Sequence, residues 1–210
     1  MKRINILLVD DEVLIRQGLR SLLEKEDFID TIVEAGNAQE FYQQVNAIPL
    51  DIILLDVRLP GVKGPDLLGT VMSRPAAPKV IAVTGLEGVE LVINLLKAGV
   101  SGIVFKLDGY TEIARAIRDV MTTGHYFQEK ITRIIELNAY RWDHVPPVSL
   151  TYHENELIHV ISLGLTTKEV AQKMKMSEAT AETYRTRLLK KLGVPNTAAL
   201  LAYAYRNGIL

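Results

Sequence analysis

The sequence predicts an α/β chain, a five-stranded, doubly wound parallel sheet followed by a small all-α domain of four helices. Three observations carry that prediction. Over the first 125 residues, short β-rich apolar runs alternate with segments of helical period, the pattern of a parallel sheet flanked by helices. Several of those runs are apolar almost throughout, as strands covered on both faces are. From Leu150 onward every segment has helical period, and helix-start signals recur.

In chain order, strands are expected at Ile4 to Val9, Thr31 to Ala35, Asp51 to Leu55, Val80 to Val83 and Gly102 to Phe105. Between them Leu14, Ile15, Leu19, Leu22 and Leu23 recur at helical spacing. So do Phe41 and Val45; Leu67, Leu68 and Val71; Leu91, Val92, Leu95 and Leu96; and Ile113, Ile117 and Val120. Beyond Gly124 the pattern changes: Ile131 to Leu137 reads as a short helix, and Pro146 with Pro147 in a polar setting reads as a linker. Thr151 with Glu154 and Thr166 with Glu169 have capping-box spacing, and Ser177 is a further N-cap. Gly164, Gly193 and Gly208 are helix stops. Helices are therefore expected over roughly 152–163, 167–174, 178–192 and 196–206, and the domains over 1–124 and 149–210, joined by a linker over 125–148.

The chain of 210 residues has no cysteine, which excludes a disulfide scaffold, a thiolate metal site and a cysteine nucleophile. The N-terminal apolar stretch is six residues long and then meets three carboxylates, so it is no signal peptide, and no run approaches a membrane span. A cytoplasmic location is expected. The net charge of −1 hides an asymmetry. Residues 1–125 carry 13 basic and 17 acidic side chains, and residues 126–210 carry 11 and 8, which suits different partners for the two halves. The basic surplus of the second half permits nucleic-acid binding without requiring it.

In an open parallel sheet, ligands bind beyond the carboxyl ends of the strands. There the first strand delivers Asp10, Asp11 and Glu12, the third Asp56, the fourth Thr84 and the fifth Lys106. If the first and third strands are neighbours, two or three carboxylates converge, and their repulsion must be relieved by raised pKa values or by a cation. An oxygen-only ligand set favours Mg²⁺, which retains waters and leaves room for a phosphate oxygen. Taken singly, each residue has an ordinary explanation: a helix cap for Asp10 or Asp11, turn chemistry for Asp56, solvation for Lys106. Together, at four strand ends, they point to one site.

VDDE, LLDVRLPG, VTG and FK, in that order and spacing, resemble the receiver domain of two-component response regulators. The resemblance implies a flavodoxin-like strand order of 2-1-3-4-5. It also implies Asp56 as phosphoacceptor; Asp10, Asp11, Asp56 and the main-chain carbonyl of Arg58 as Mg²⁺ ligands; Thr84 as the hydroxyl that follows the phosphoryl group; and Lys106 as its counter-ion. The phosphoryl donor it implies is a phosphohistidine on a sensor histidine kinase. The chain has no GxxxxGK[ST] nucleotide loop of its own, and none of His125, His144, His153 and His159 sits at a strand end. The chain departs from the family where Ile103 replaces the usual aromatic residue three positions before the lysine, and where Leu107 replaces a frequent proline.

The second half resembles the LuxR-type helix-turn-helix of the NarL/FixJ subfamily. The match rests on Leu150-Thr151, Glu154, Gly164-Leu165, Lys168 to Ala171, Ser177, Thr180, Leu188 and Lys191 to Val194. A short helix, a turn at Lys175-Met176 and a longer helix fit entry into a major groove. Ala181, Leu188 and Leu192, with Tyr184 or Arg185 between them, should face the core; Ala179, Glu182, Thr183, Thr186, Arg187 and Lys190 face away. Candidate DNA contacts are Thr180, Thr183 and Thr186 toward bases or phosphates, Glu182 as an acceptor from cytosine N4, and Lys168, Arg187, Lys190 and Lys191 toward phosphates. Ala181 and Glu182 stand where the subfamily frequently has valine and a basic residue. An acid there weakens attraction to phosphates, so affinity should lean on a homodimer reading half-sites about 10 base pairs apart. The resemblance places the dimer contact on the last helix, at Leu200, Leu201 and Tyr203.

The expected function is a response regulator transcription factor whose dimerisation and DNA binding are controlled by phosphorylation, not a turnover enzyme. A haloacid-dehalogenase-like phosphatase would need a second aspartate two residues after the nucleophile, where this chain has Arg58. The alternative, kept open by Ile103, is a DNA-binding regulator independent of phosphorylation, with its receiver serving as a dimerisation module.

Overall fold

The computed structural model describes residues 3–60, 62–72, 77–85, 88–143 and 148–210. The expected Pro146-Pro147 linker, Gly61 and His144 lie outside the described residues. The chain forms two compact units, Met1–Glu87 with Val100–Arg118, and Gly88–Gly99 with Asp119–Leu210.

The first unit is built on a parallel sheet. Its strands are β1 (Ile4–Val9), β2 (Ile29–Ala35), β3 (Ile52–Asp56), β6 (Lys79–Thr84) and β7 (Gly102–Phe105), in the order β2-β1-β3-β6-β7. That is the 2-1-3-4-5 order of the major strands. Between them lie α1 (Val13–Leu23), α2 (Ala38–Ala47) and α3 (Gly64–Met72). Every residue of β3 and β7 is buried, which accounts for their unbroken apolar character. The expectation for the third strand is shifted by one residue, because the ladder starts at Ile52 and carries Asp56 as its last rung. After Asp56 the chain makes a two-stranded hairpin of β4 (Arg58–Leu59) and β5 (Val62–Lys63), which was not anticipated from the sequence.

Register decides where the strand ends meet. Val9 pairs with Leu55, so Asp10 follows one partner as Asp56 follows the other. Asp56 pairs with Val83, and Thr84 with Phe105, so Thr84 and Lys106 each stand one step further along the same edge. Four side chains scattered over almost a hundred positions are thereby gathered at one rim.

The second unit contains α4 (Val89–Lys97), the end of α5 (Tyr110–Thr123), α6 (Glu129–Leu137), a 3₁₀ turn (Ala139–Arg141), α7 (Tyr152–Ser162), α8 (Thr167–Lys173), α9 (Glu178–Leu192) and α10 (Thr197–Arg206). The two capping boxes form as the spacing requires. Thr151 accepts from Glu154 N while Glu154 accepts from Thr151 N, and Thr166 and Glu169 do the same. Ser177 caps α9 by accepting from Thr180 N. At Gly164 the backbone has φ +68°, and an added Cβ would lie 2.7 Å from the main-chain nitrogen of Glu129, so α6 and the end of α7 approach more closely than any side chain allows.

Helix α10 is buried from Thr197 through Ala204, on every face, against α6, the 3₁₀ turn, α7, α4 and α9. Leu200, Leu201 and Tyr203, where the resemblance places a dimer contact, close the core of their own unit in this conformation. Helix α4 is tied to the same assembly: Arg141 makes a bidentate pair with Glu90, and the Lys97 ammonium stands over the Trp142 ring.

Candidate functional site

The rim of the first unit is an acidic cleft closed by one lysine. Asp10 and Asp56 are each 4% exposed, whereas Asp11 is open to solvent. Ligand oxygens of Asp10, Asp11 and Asp56 all lie within 4.8 Å of one another. Lys106 Nζ stands 2.6 Å from Asp56 Oδ2, 2.9 Å from Asp10 Oδ2 and 2.8 Å from Glu12 Oε1. The other oxygens of Asp10 and Asp56 are fixed by the main chain: Glu12 N donates to Asp10 Oδ1 at 2.8 Å, and Arg58 N donates to Asp56 Oδ1 at 2.9 Å.

The electrostatics follow from crowding. Burial raises the pKa of Asp10 above the usual carboxylate range, and the bonds from Lys106 and the Glu12 amide only partly offset it. Burial also opposes the Lys106 ammonium, but its hydrogen bonds to Asp56, Glu12 and Asp10 outweigh that and raise its pKa, so the lysine stays charged. The Lys106 hydrogen bond lowers the pKa of Glu12. Three acids share Lys106 with Asp11 beside them, an excess of negative charge that a divalent ion corrects, and the oxygen-only donor set suits a hard one. The cleft therefore fits a metal ion at Asp10, Asp11 and Asp56.

The other expected members are placed as follows. Thr84 is fully buried at the end of β6, beside the residue that pairs with Asp56. Arg58 begins β4, its amide already engaged by Asp56, so its main chain runs along the cleft. Ile103 is a fully buried core residue of β7. Sequence reasoning named Glu12 as part of the acidic run but assigned it no role; its third position in Asp10-Asp11-Glu12 was the available signal. It also missed Arg16, whose Nη1 donates to the Asp10 main-chain carbonyl.

In the second unit, α9 buries Ala181, Arg185, Leu188 and Leu192. Of the two residues left open between Ala181 and Leu188, Arg185 is the one inside and Tyr184 the exposed one. Thr183, Thr186, Arg187, Lys190 and Lys168 are exposed. Thr183 Oγ1 donates back to Ala179 O, Thr180 Oγ1 bonds to Ser177 Oγ at 2.7 Å, and Lys191 is paired with Glu154 at 2.7 Å. Glu182 does not stand free: Arg185 Nε donates to its Oε2 at 2.9 Å, Arg185 Nη2 to its Oε1, and Thr186 Oγ1 to Oε1 at 3.3 Å.

Comparison with known proteins agrees with both halves of this geometry. Residues 6–118, more than half of the chain, match the response regulator receiver domain family. The chain belongs to the response regulators. Residues 148–204 of this response regulator match the bacterial regulatory proteins of the luxR family, so it is a transcription factor of the NarL/FixJ kind. It is 32% identical to the DNA-binding transcriptional activator DevR/DosR of Mycobacterium tuberculosis, over 96% of this chain and 94% of that one. It is 28% identical to the nitrate/nitrite response regulator protein NarP of Escherichia coli, over 97% and 95%. Its fold matches the RcsB response regulator of Salmonella typhimurium with a TM-score of 0.59, at 22% identity, over 97% and 98% of the two chains. No helix among the described residues is long and apolar enough to cross a membrane.

Proposed function

We propose that this response regulator is a cytoplasmic phosphoprotein that takes a phosphoryl group on Asp56 from a phosphohistidine of a sensor histidine kinase, and that phosphorylation controls its dimerisation and DNA binding. The receiver is assigned to residues 1–124, the linker to 125–148 and the DNA-binding domain to 149–210. The observation that carries the proposal is the Lys106 ammonium held between Asp10 and Asp56 in a cleft of oxygen ligands.

Asp10, Asp11, Asp56 and the Arg58 carbonyl would hold Mg²⁺, which when bound neutralises charge on the transferring oxygens. The protein's own groups do the rest. The Arg58 amide fixes one Asp56 oxygen, leaving the other, now beside Lys106, to attack phosphorus in line. An O–P bond forms as the N–P bond of the donor breaks, and the electron pair returns to the imidazole nitrogen. Lys106 exchanges its carboxylate partner for phosphoryl oxygens, and Thr84 offers a hydroxyl from the adjoining strand end. The acceptor is covalently consumed and regenerated only by hydrolysis, so the chain accepts a group without turning over a metabolite. Leu14 and Leu107, 83% and 85% exposed, neighbour the acids and the lysine in sequence and offer apolar area to a protein donor.

Phosphorylation adds roughly −1.5 to −2 charges to the cleft. The chain passes between the two units three times, at 87/88, at 99/100 and, within α5, at 118/119. In the second unit α10 is enclosed and the end of α5 lies against α9, so DNA binding by a homodimer requires the unit to open. Complete switching takes about 5.5 kcal/mol of differential stabilisation. Thr180, Glu182, Thr183 and Thr186 would then face bases, and Lys168, Arg187, Lys190 and Lys191 phosphates. The buried Ile103, which replaces the aromatic partner of Thr84, favours a second reading in which DNA binding is independent of phosphorylation. Incubation with acetyl phosphate and Mg²⁺, followed by intact mass and DNA titration, tests both. One added phosphoryl group, lost in Asp56→Asn, with tighter DNA binding supports the first, and equal binding in both states supports the second.

A further inference from the structure

We infer that Arg185 positions Glu182 as a pre-set hydrogen-bond acceptor for cytosine, so that this regulator reads a C·G pair where an unpaired acid would repel the duplex. The inference rests on the DNA-binding reading above and extends it to one residue pair.

Arg185 is 8% exposed in the core of the C-terminal helices, in a buried stripe of α9 whose other members, Ala181, Leu188 and Leu192, are aliphatic. An unpaired guanidinium there would be costly, and this one has all three of its nitrogens engaged. Its Nη1 donates to Thr197 Oγ1 of α10 at 2.9 Å, while Nε and Nη2 grip both oxygens of Glu182. The bidentate grip fixes the carboxylate plane and cancels its charge locally. An acid on a recognition helix thereby ceases to oppose phosphate binding.

An ionised carboxylate offers about four lone-pair positions. Three are used here: one on Oε2 by Arg185 Nε, and two on Oε1 by Arg185 Nη2 and Thr186 Oγ1. Among the described residues the position left open is on Oε2. Glu182 lies in the second turn of α9, its side chain still 28% exposed, between the buried stripe and the outward face of Thr183 and Thr186. The N-terminal turns of such a helix reach base edges, and the base-edge donor that suits a carboxylate is cytosine N4. A carboxylate held in one rotamer discriminates better than a mobile one, because it loses less freedom on contact.

The test is selection from a randomised duplex library by the full-length protein with acetyl phosphate and Mg²⁺, using the unmodified chain, Glu182→Gln, Glu182→Ala and Arg185→Lys. Circular dichroism melts check folding of each. The expected result is a C preference at one position per half-site, of about tenfold or more. Glu182→Gln should shift or abolish that preference without changing the salt dependence of binding. Arg185→Lys keeps the charge but not the fork, and should weaken the same preference and no other. A selected sequence unchanged by the Glu182 substitutions would overturn the inference and leave Glu182 as a structural ion-pair partner only. Failure of the unmodified protein to select any sequence would instead overturn the DNA-binding reading, and the inference with it.

Discussion

Replacing Lys106 with methionine isolates the force that shapes the acidic cleft. The side chains of Asp10 and Asp56 are 6% and 5% exposed and that of Lys106 is 17% exposed, so the substitution leaves two buried carboxylates facing each other without a cation. Removing one member of a buried ion pair costs about 3–5 kcal/mol. The cleft is at the sheet rim and the Glu12 contact is mostly exposed, which places the loss near the lower end, about 3 kcal/mol. For a unit of about a hundred residues that lowers the melting temperature by about 10 °C or more. The sign of the pH dependence follows from the cation. Burial raises the folded-state pKa of Asp10 and Lys106 opposes that rise, and the Lys106 bond lowers the pKa of Glu12, so what Lys106 contributes is present above the unfolded carboxylate values and lost as pH falls and the acids protonate. Lys106→Met should therefore be near the parent at pH 4 and well below it at pH 8, and millimolar Mg²⁺ at pH 8 should restore much of the difference. Thermal melts of both proteins at the two pH values, with and without Mg²⁺, make the measurement. A Lys106→Met protein that melts with the parent at pH 8 without metal would refute the crowding argument.

Three further outcomes are expected. Glu154, whose pKa is lowered by the Lys191 and Thr151 hydrogen bonds despite the opposing effect of burial, stabilises the fold above its unfolded pKa, and that contribution fades as pH falls through the depressed value. Glu154→Gln should cost about 1 kcal/mol at pH 7 and almost nothing at pH 3, read by urea melts. Gly124, at φ +80°, would set an added Cβ 2.5 Å from Arg185 Nη2, so Gly124→Ala should displace that guanidinium from Glu182 and strain the backbone, costing about 1 kcal/mol or more in urea melts. Gly164→Ala, whose Cβ would meet the Glu129 main chain, should lose about 2 kcal/mol or more in the same urea melts, since backbone cannot yield as a side chain does.

The sheet and its rim were legible because both obey rules that act on residue type alone. Strands buried on both faces must be apolar throughout, and ligands gather at carboxyl ends, so Asp10, Asp56, Thr84 and Lys106 could be named before their register was known. The helix starts at Thr151, Thr166 and Ser177 were legible because a capping side chain satisfies amides only a few residues away. What escaped was decided by long-range packing. The hairpin after Asp56 depends on pairing of Arg58 with Lys63, and the enclosure of α10 depends on α6 and α4 folding over it. Arg185 was ambiguous for the same reason: an arginine at a core position of α9 is intelligible only once Glu182 and Thr197 are seen to satisfy it.

The central claim is that one aspartate at this rim takes a phosphoryl group and that DNA binding follows from it. The most direct measurement is the DNA affinity of the full-length protein and of Asp56→Asn, each titrated with and without acetyl phosphate and Mg²⁺, with the phosphorylated fraction read by intact mass on the same samples. The account predicts one phosphoryl group on the parent and none on the variant, with affinity rising in step with the phosphorylated fraction. Phosphorylation of Asp56→Asn, or full phosphorylation of the parent with unchanged affinity, would contradict it.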